Sequence, residues 1–346
     1  MTQWSSSRGW ARAAVVVMAA AVGVTGQAAY AGHIDQPKVV FTIASPEITE
    51  SSSLAVSTVD PRLVYTTNDS GDDGTVYTLD VATGRVVGRT TLAGADPLDV
   101  EAIAAGDDGS LVVADIGDNN AEHSTADLYR IDQPGRGEHA VTPDRVDLTY
   151  PGGARDAEGV LYDASSGRAF VVSKLLGGAQ VYATPPHVFD RASAPLRPIA
   201  PAPLLATDAT FLPGNDYAVI RTYSNATVYA YPSWKQVTTF DLPSQPQGES
   251  ITAPPSGDVV WVGSEGVRSQ VLEVDLPELP SAAASTQPST TGPGNGADDG
   301  STSSTSSGSD TTSSSLRTAQ VAFVVSSVAL LAVLAGLVIL GLTRRH

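Results

Sequence analysis

The sequence predicts an all-β fold, a β-propeller of five four-stranded blades closed by its N-terminal strand, with one C-terminal transmembrane helix. Three observations predict it. A pattern of short apolar strands and polar turns recurs five times between Ser52 and Val274. A lone strand, Lys38-Val39-Val40-Phe41-Thr42-Ile43, precedes the first unit and supplies the fourth strand that the last unit lacks. An apolar run without a charge, residues 319–342, lies close to the C-terminus.

The chain opens with Arg8 and Arg12, then an Ala/Val run from Ala13 to about Val24, then Ala29-Tyr30-Ala31. A basic start, a short apolar stretch and a small-x-small site are the parts of a secretory signal, here residues 1–31 with cleavage after Ala31. The apolar run is short for a membrane span; an uncleaved anchor is the alternative. The folded region is then Gln36–Pro280, rich in Val, Thr, Tyr, Gly, Asp and Pro and without a long helical period. Its size and its β-branched runs suit one large all-β domain.

Each repeat begins with a strand that opens on an acidic or small polar residue. These are Ser52–Val56, Glu101–Ala104, Glu158–Tyr162, Asp208–Phe211 and Glu249–Thr252. A turn and an apolar second strand follow: Leu63–Tyr65, Leu111–Val113, Ala169–Val172, Tyr217–Ile220 and Val259–Val262. Third strands read Val76–Leu79, Leu128–Ile131, Gln180–Tyr182, Thr227–Ala230 and Gln270–Val274, and fourth strands fall near Val86–Leu92, Arg145–Tyr150, Leu196–Ala200 and Gln236–Leu242. Four strands at a spacing of roughly 41–57 residues are the signature of a propeller blade. Closure of the last blade by residues 38–43 would remove the exposed edges of an open ring.

Residues 281–315 are almost entirely Ser, Thr, Gly, Ala, Pro and Asp. Such a segment buries too little apolar surface to offset its ordering entropy, so it reads as a disordered stalk. The run 319–342 would span about 36 Å as a helix, against a bilayer core of about 30 Å. Arg344 and Arg345 in the tail, residues 343–346, place the C-terminus in the cytoplasm and the domain outside. The expected localisation is therefore the cell membrane of a bacterium, single-pass, with the N-terminal domain extracellular.

Composition narrows the chemistry. The chain has no cysteine, hence no disulfide, thiol nucleophile or thiolate metal site. A net charge of −17 argues against nucleic acid as a partner. It suits a soluble extracellular surface, or one that binds cations or basic partners.

A propeller brings the entries to its first strands and the loops between second and third strands to one face. That geometry would gather Glu101, Glu158, Asp208 and Glu249 with Asp99 and Asp156, and with Asp69, Asp115, Asp118, Asn119, Lys174, Arg221 and Glu265. Carboxylates crowded round a channel repel unless a cation or a base sits among them. Oxygen-only clusters suit Ca²⁺ or Mg²⁺, so Glu101, Glu158, Asp208, Glu249, Asp115 and Asp118 are candidate ligands of a Ca²⁺ ion. The alternative is structural: each entry carboxylate accepts hydrogen bonds from neighbouring backbone. Lys174, Arg221 and Asn119 are candidates for holding an anionic group. Asp69–Gly74 departs from the EF-hand spacing and reads as a strand connection. The five histidines show no zinc spacing, and neither a nucleophile elbow nor a phosphate-cradling glycine loop occurs.

The stretches DVEAIA (Asp99–Ala104) and DAEGVLYD (Asp156–Asp163), with DIGDNN (Asp115–Asn120) between them, resemble secreted bacterial propellers of the phytase-like or esterase-like kind. The resemblance covers roughly residues 95–180. It implies a carboxylate-lined, often Ca²⁺-dependent face and hydrolysis of phosphoesters or esters. The leading expectation is a membrane-tethered extracellular propeller that binds a ligand or protein partner at an acidic channel mouth. The alternatives are a Ca²⁺-dependent hydrolase and a scaffold whose carboxylates are structural.

Overall fold

A computed structural model describes residues 37–69, 74–123 and 126–280. The expected signal, stalk, transmembrane helix and tail lie outside the described residues. Among the described residues no helix is long and apolar enough to cross a membrane.

Strand β1 (Lys38–Thr42) comes first in the chain and is used last. Blade 1 is β2 (Ser51–Val56), β3 (Leu63–Asn68), β4 (Val76–Asp80) and β5 (Arg85–Leu92). Blade 2 has β6 (Val100–Ala105), β7 (Ser110–Asp115) and β8 (Ala126–Asp132), and after the excursion β9 (Gly137–Val141) its fourth strand β10 (Asp144–Thr149). Blade 3 has β11 (Ala157–Asp163), β12 (Arg168–Ser173) and β13 (Gln180–Ala183), a second excursion β14 (Ser193–Pro195), and β15 (Arg197–Pro201). Blade 4 is β16 (Ala206–Phe211), β17 (Tyr217–Thr222), β18 (Asn225–Ala230) and β19 (Lys235–Asp241). Blade 5 is β20 (Gly248–Thr252), β21 (Val259–Ser264) and β22 (Gln270–Asp275), completed by β1.

The closure is antiparallel, with Lys38 opposite Glu273 and Phe41 opposite Val271. It is locked sideways at Gly84, whose φ of 64° suits the β4–β5 turn and whose carbonyl accepts the Ala44 N–H at 2.8 Å. A Cβ there would fall 1.8 Å from the Thr42 carbonyl oxygen, so only glycine lets β1 lie this close to blade 1.

Apolar side chains alternate to both faces of each blade and form five buried clusters, one between each pair of neighbouring blades. The cluster of β1, blade 1 and blade 5 sets Phe41 edge-on to Trp261 at 6.4 Å, so the seam is packed like the other four. Inner strands are buried along their whole length in β2, β11 and β20 and over their first four residues in β6 and β16, while the outermost β19 is largely exposed. The two excursions were not expected. β9 leaves blade 2 to pair in parallel with β5 of blade 1, and β14 leaves blade 3 to pair in parallel with β10 of blade 2. Each adds a fifth strand to its neighbour's outer edge.

A register shift recurs at the start of the inner strand in every blade. The first strand carries one residue more than the second strand opposite it between Ser51 and Leu54, Val100 and Ala102, Ala157 and Gly159, Ala206 and Asp208, and Gly248 and Ile251. Such a β-bulge bends the strand and re-aims the extra side chain. In blades 2 and 3 the extra residues are Glu101 and Glu158.

Candidate site at the acidic mouth

The bulges fix which carboxylates face the channel mouth. In blade 4 the bulged residue is Thr207, and Asp208 pairs with Arg221 one position further in. Because side chains alternate along a strand, this one-residue offset separates Asp208 from Glu101 and Glu158. Asp208 is fully buried at the channel axis. It accepts hydrogen bonds from the Ser53 hydroxyl at 3.1 Å and the N–H groups of Ile251 and Ala209 at 2.8 Å each. Ser53 in turn accepts the Ile103 N–H at 3.1 Å. These bonds join blades 1, 2, 4 and 5 across the axis. Burial pushes the Asp208 carboxyl well up, against the pull of its donors.

Arg221, also fully buried, donates to the backbone carbonyls of Ser250 at 2.6 Å, Gly263 at 3.0 Å and Thr222 at 3.2 Å. Burial lowers it to about 10 against the opposing pull of Asp208 and Glu249. Its guanidinium ties blade 4 to blade 5 from within. Asp115 accepts the N–H groups of Leu98 and Asp99 at 3.0 and 2.8 Å and so shapes the entry to β6. Asp118 accepts those of Glu122 and His123, and its own N–H donates to Asp156 at 3.0 Å. Asn119 stands exposed at the tip of that loop.

The mouth itself holds two groupings. In the first, oxygens of Asp69, Asp99 and Glu101 lie within 4.8 Å of one another. Glu101 is only 2 % exposed, and burial followed by the charges of Glu158, Asp69 and Asp99 pushes its carboxyl up to about 11. Asp99 is raised to about 7 by burial and then by Asp69, and its Oδ1 is buried without a hydrogen-bond partner. The backbone closes round them at Gly117, where a Cβ would meet Asp99 Oδ2 at 2.4 Å and Glu101 Oε1 at 2.7 Å. An oxygen-only trio with one orphaned buried atom fits a hard divalent cation. Asp69 and Asp99 were recognised in the sequence as neighbours of the mouth but not as ligands. Only pairing register reveals that they meet Glu101.

In the second grouping Lys174 sits between carboxylates. Its Nζ lies 2.6 Å from Glu158 Oε1 and 5.6 Å from the centre of the Tyr223 ring. Burial opposes its charge, but Glu158 outweighs that effect and holds the ammonium protonated well above its usual range. Glu158 is raised to about 8, by burial against the pull of Lys174. Glu249, buried, is also raised by burial, and its Oε2 has no hydrogen-bond partner. Glu265 is raised to about 7 by burial and then by Glu249. The opposite end of the channel holds a separate cavity of about 230 Å³, lined by residues such as Leu54, Ile103, Leu161, Ala209 and Thr252.

This strand order defines a β-propeller. No protein-family model matches the chain, and no curated protein matches it. Solved structures similar to it include a Dos1 propeller, at 18% identity and a TM-score of 0.37 over 66% of this chain and 60% of that one. Another is hydrazine synthase of Kuenenia stuttgartiensis, at 14% identity and a TM-score of 0.39 over 69% of this chain and 59% of that one. A third is described as a "putative 6-phosphogluconolactonase" from Bacteroides uniformis, at 16% identity and a TM-score of 0.37 over 66% of this chain and 68% of that one. The chain thus spans about 60% of the length of the first two. No family narrower than the propeller fold is shown, and the phytase-like resemblance remains one of short motifs.

Proposed function

We propose that this is a membrane-tethered extracellular propeller that binds its ligand at the acidic mouth, with a Ca²⁺ ion held by Asp69, Asp99 and Glu101. The tether rests on the sequence of the two chain ends. The cation rests on one observation above all: three carboxylates converge within 4.8 Å round a glutamate that is almost wholly buried. Without a cation such a group is a source of repulsion; with one it is a ligand set that lacks only waters or further oxygens.

The test is a thermal melt of the full chain in millimolar Ca²⁺ and then in excess chelator. A ligand of the native state stabilises by mass action, about 2.7 kcal/mol at a hundredfold excess over Kd. Ca²⁺ is expected to raise the melting temperature. Glu101→Gln is expected to abolish that rise while stabilising the chelated protein, because a neutral side chain relieves the crowding. An unchanged melt in Ca²⁺ would remove the ion from the site.

A Ca²⁺-dependent hydrolase of phosphoesters or esters is the second reading, favoured by Lys174 standing beside the carboxylates. It requires turnover of p-nitrophenyl phosphate or acetate that Ca²⁺ supports and Glu101→Gln removes. A Ca²⁺-dependent melt without turnover leaves the binding reading alone.

A further inference from the structure

The mouth is rimmed by apolar side chains. Eight large hydrophobic residues are exposed among those described, and five stand on loops of this one face: Leu98, Leu176, Leu204, Tyr223 and Val267. Leu98 and Leu204 precede the inner strands β6 and β16, while Leu176, Tyr223 and Val267 lie in the loops between second and third strands of blades 3, 4 and 5. Of the other three, Val39 and Ile199 lie on the outer strands β1 and β15, and only Val59 sits in a turn at the opposite face. Leu176 is 80 % exposed and Leu98 62 %.

These side chains are not strays on floppy loops. The Leu205 N–H donates to the Leu175 carbonyl at 3.2 Å, which joins the loops that carry Leu204 and Leu176. The Tyr223 ring lies beneath the Lys174 ammonium. The Gly266 N–H donates to the Thr49 carbonyl at 2.9 Å, which anchors the Val267 loop to the entry of blade 1. Inside this rim the floor is acidic: Asp156, Glu158, Glu249 and Glu265 outnumber the bases beside them, Lys174, which Glu158 already holds, and Arg221, which is buried behind Glu249 on backbone carbonyls. The unpartnered Oε2 of the buried Glu249 is an acceptor on that floor awaiting a donor.

A grouped apolar rim round a polar centre marks an interaction site rather than a bare surface. We propose that the mouth docks a polypeptide segment of a partner protein, one that inserts an arginine or lysine toward Glu249 and Glu265 and lays apolar residues on Leu176, Leu204, Tyr223 and Val267. This rests on the reading of the mouth as the binding end. Charge complementarity selects a cationic insert and excludes an anionic lipid surface. The rim selects a polypeptide over a small amine, which would leave the apolar side chains uncovered.

The experiment uses the full chain with Ca²⁺ and four fluorescent probes read by anisotropy. The first is a nine-residue peptide with a central arginine between leucines and valines. In the second, glutamate replaces the arginine; in the third, serines replace the apolar residues; the fourth is labelled arginine amide. The first is expected to bind at least about tenfold tighter than the others, and Leu176→Ser with Leu204→Ser to remove that advantage while the Ca²⁺-dependent melt stays as it was. Equal binding of the serine-flanked peptide or arginine amide, or no binding of any probe, would overturn the docking proposal. If the Ca²⁺-dependent melt survives that result, the reading of the mouth as a cation site stands without it; if the melt shift is absent too, both fall.

Discussion

Lys174 and Glu158 illustrate how a single pair can be costly and necessary together. Both are largely withdrawn from water, with side-chain exposures of 18% and 5%. Two charges so placed gain little net stability over well-packed apolar residues, yet removing one leaves the other buried and unpaired. Lys174→Met is therefore expected to destabilise the domain by about 3–5 kcal/mol, and Lys174→Met with Glu158→Leu by much less. Chemical denaturation of the two variants measures the difference; equal losses would show that packing, not pairing, holds the site. Arg221 and Asp208 follow another logic. Both were read from the sequence as groups of the mouth, and the structure gives both backbone partners inside the domain. A buried guanidinium that satisfies three carbonyls acts as an internal tie. Residue type alone could not distinguish Asp208 from Glu101, because the distinction lies in which residue the bulge skips.

At the scale of strands, the expected set closely matches the one observed, since the core strands carry short apolar runs, many of them β-branched or aromatic as in β12 and β21, separated by turns with Gly, Asp or Pro. β9 and β14 escaped notice for a physical reason. Gly137–Val141 is polar and mostly exposed, and Ser193–Pro195 is too short to carry a pattern. Both become strands only because a neighbouring blade offers an edge, which is a tertiary fact. The bulges are hidden likewise, because register belongs to two strands and neither encodes it alone. The closing strand was legible, and its weight can be measured. Phe41 is buried against Trp261 in the seam between first and last blades. Phe41→Ala is expected to cost about 3–5 kcal/mol, the range for a large core residue. A loss below about 1 kcal/mol in denaturant melts would mean that the ring holds without its seam.

For the whole molecule, acidity sets the terms. Asp99 and Glu265 are raised to about 7 and Glu158 to about 8, each chiefly by burial. Each binds its proton more tightly in the folded chain than in the unfolded one, where carboxyls titrate near 4. The folded state therefore holds excess protons between roughly pH 4 and 8, and stability falls as pH rises through that window. Asp60, lowered to about 2 by its hydrogen bond to Arg62, acts below it. In chelator, the melting temperature is expected to be higher at pH 5 than at pH 8. Ca²⁺ is expected to narrow the gap, since it binds the deprotonated form. A melting temperature that rises from pH 5 to pH 8 in chelator would mean that these carboxyls are not held in their protonated form.

The seam between β1 and β22 also orders events in time. Synthesis runs from the N-terminus, so the strand made first must wait for the strand made last, with nearly the whole domain between Lys38 and its partner Glu273. Four blades can assemble behind the growing end, but the ring cannot shut until Gln270–Asp275 has emerged. Contacts so distant in sequence make closure slow. Until then the flanks of the first and last blades that meet at Phe41 and Trp261 stay uncovered, and the ring becomes a closed body only as a last, single event.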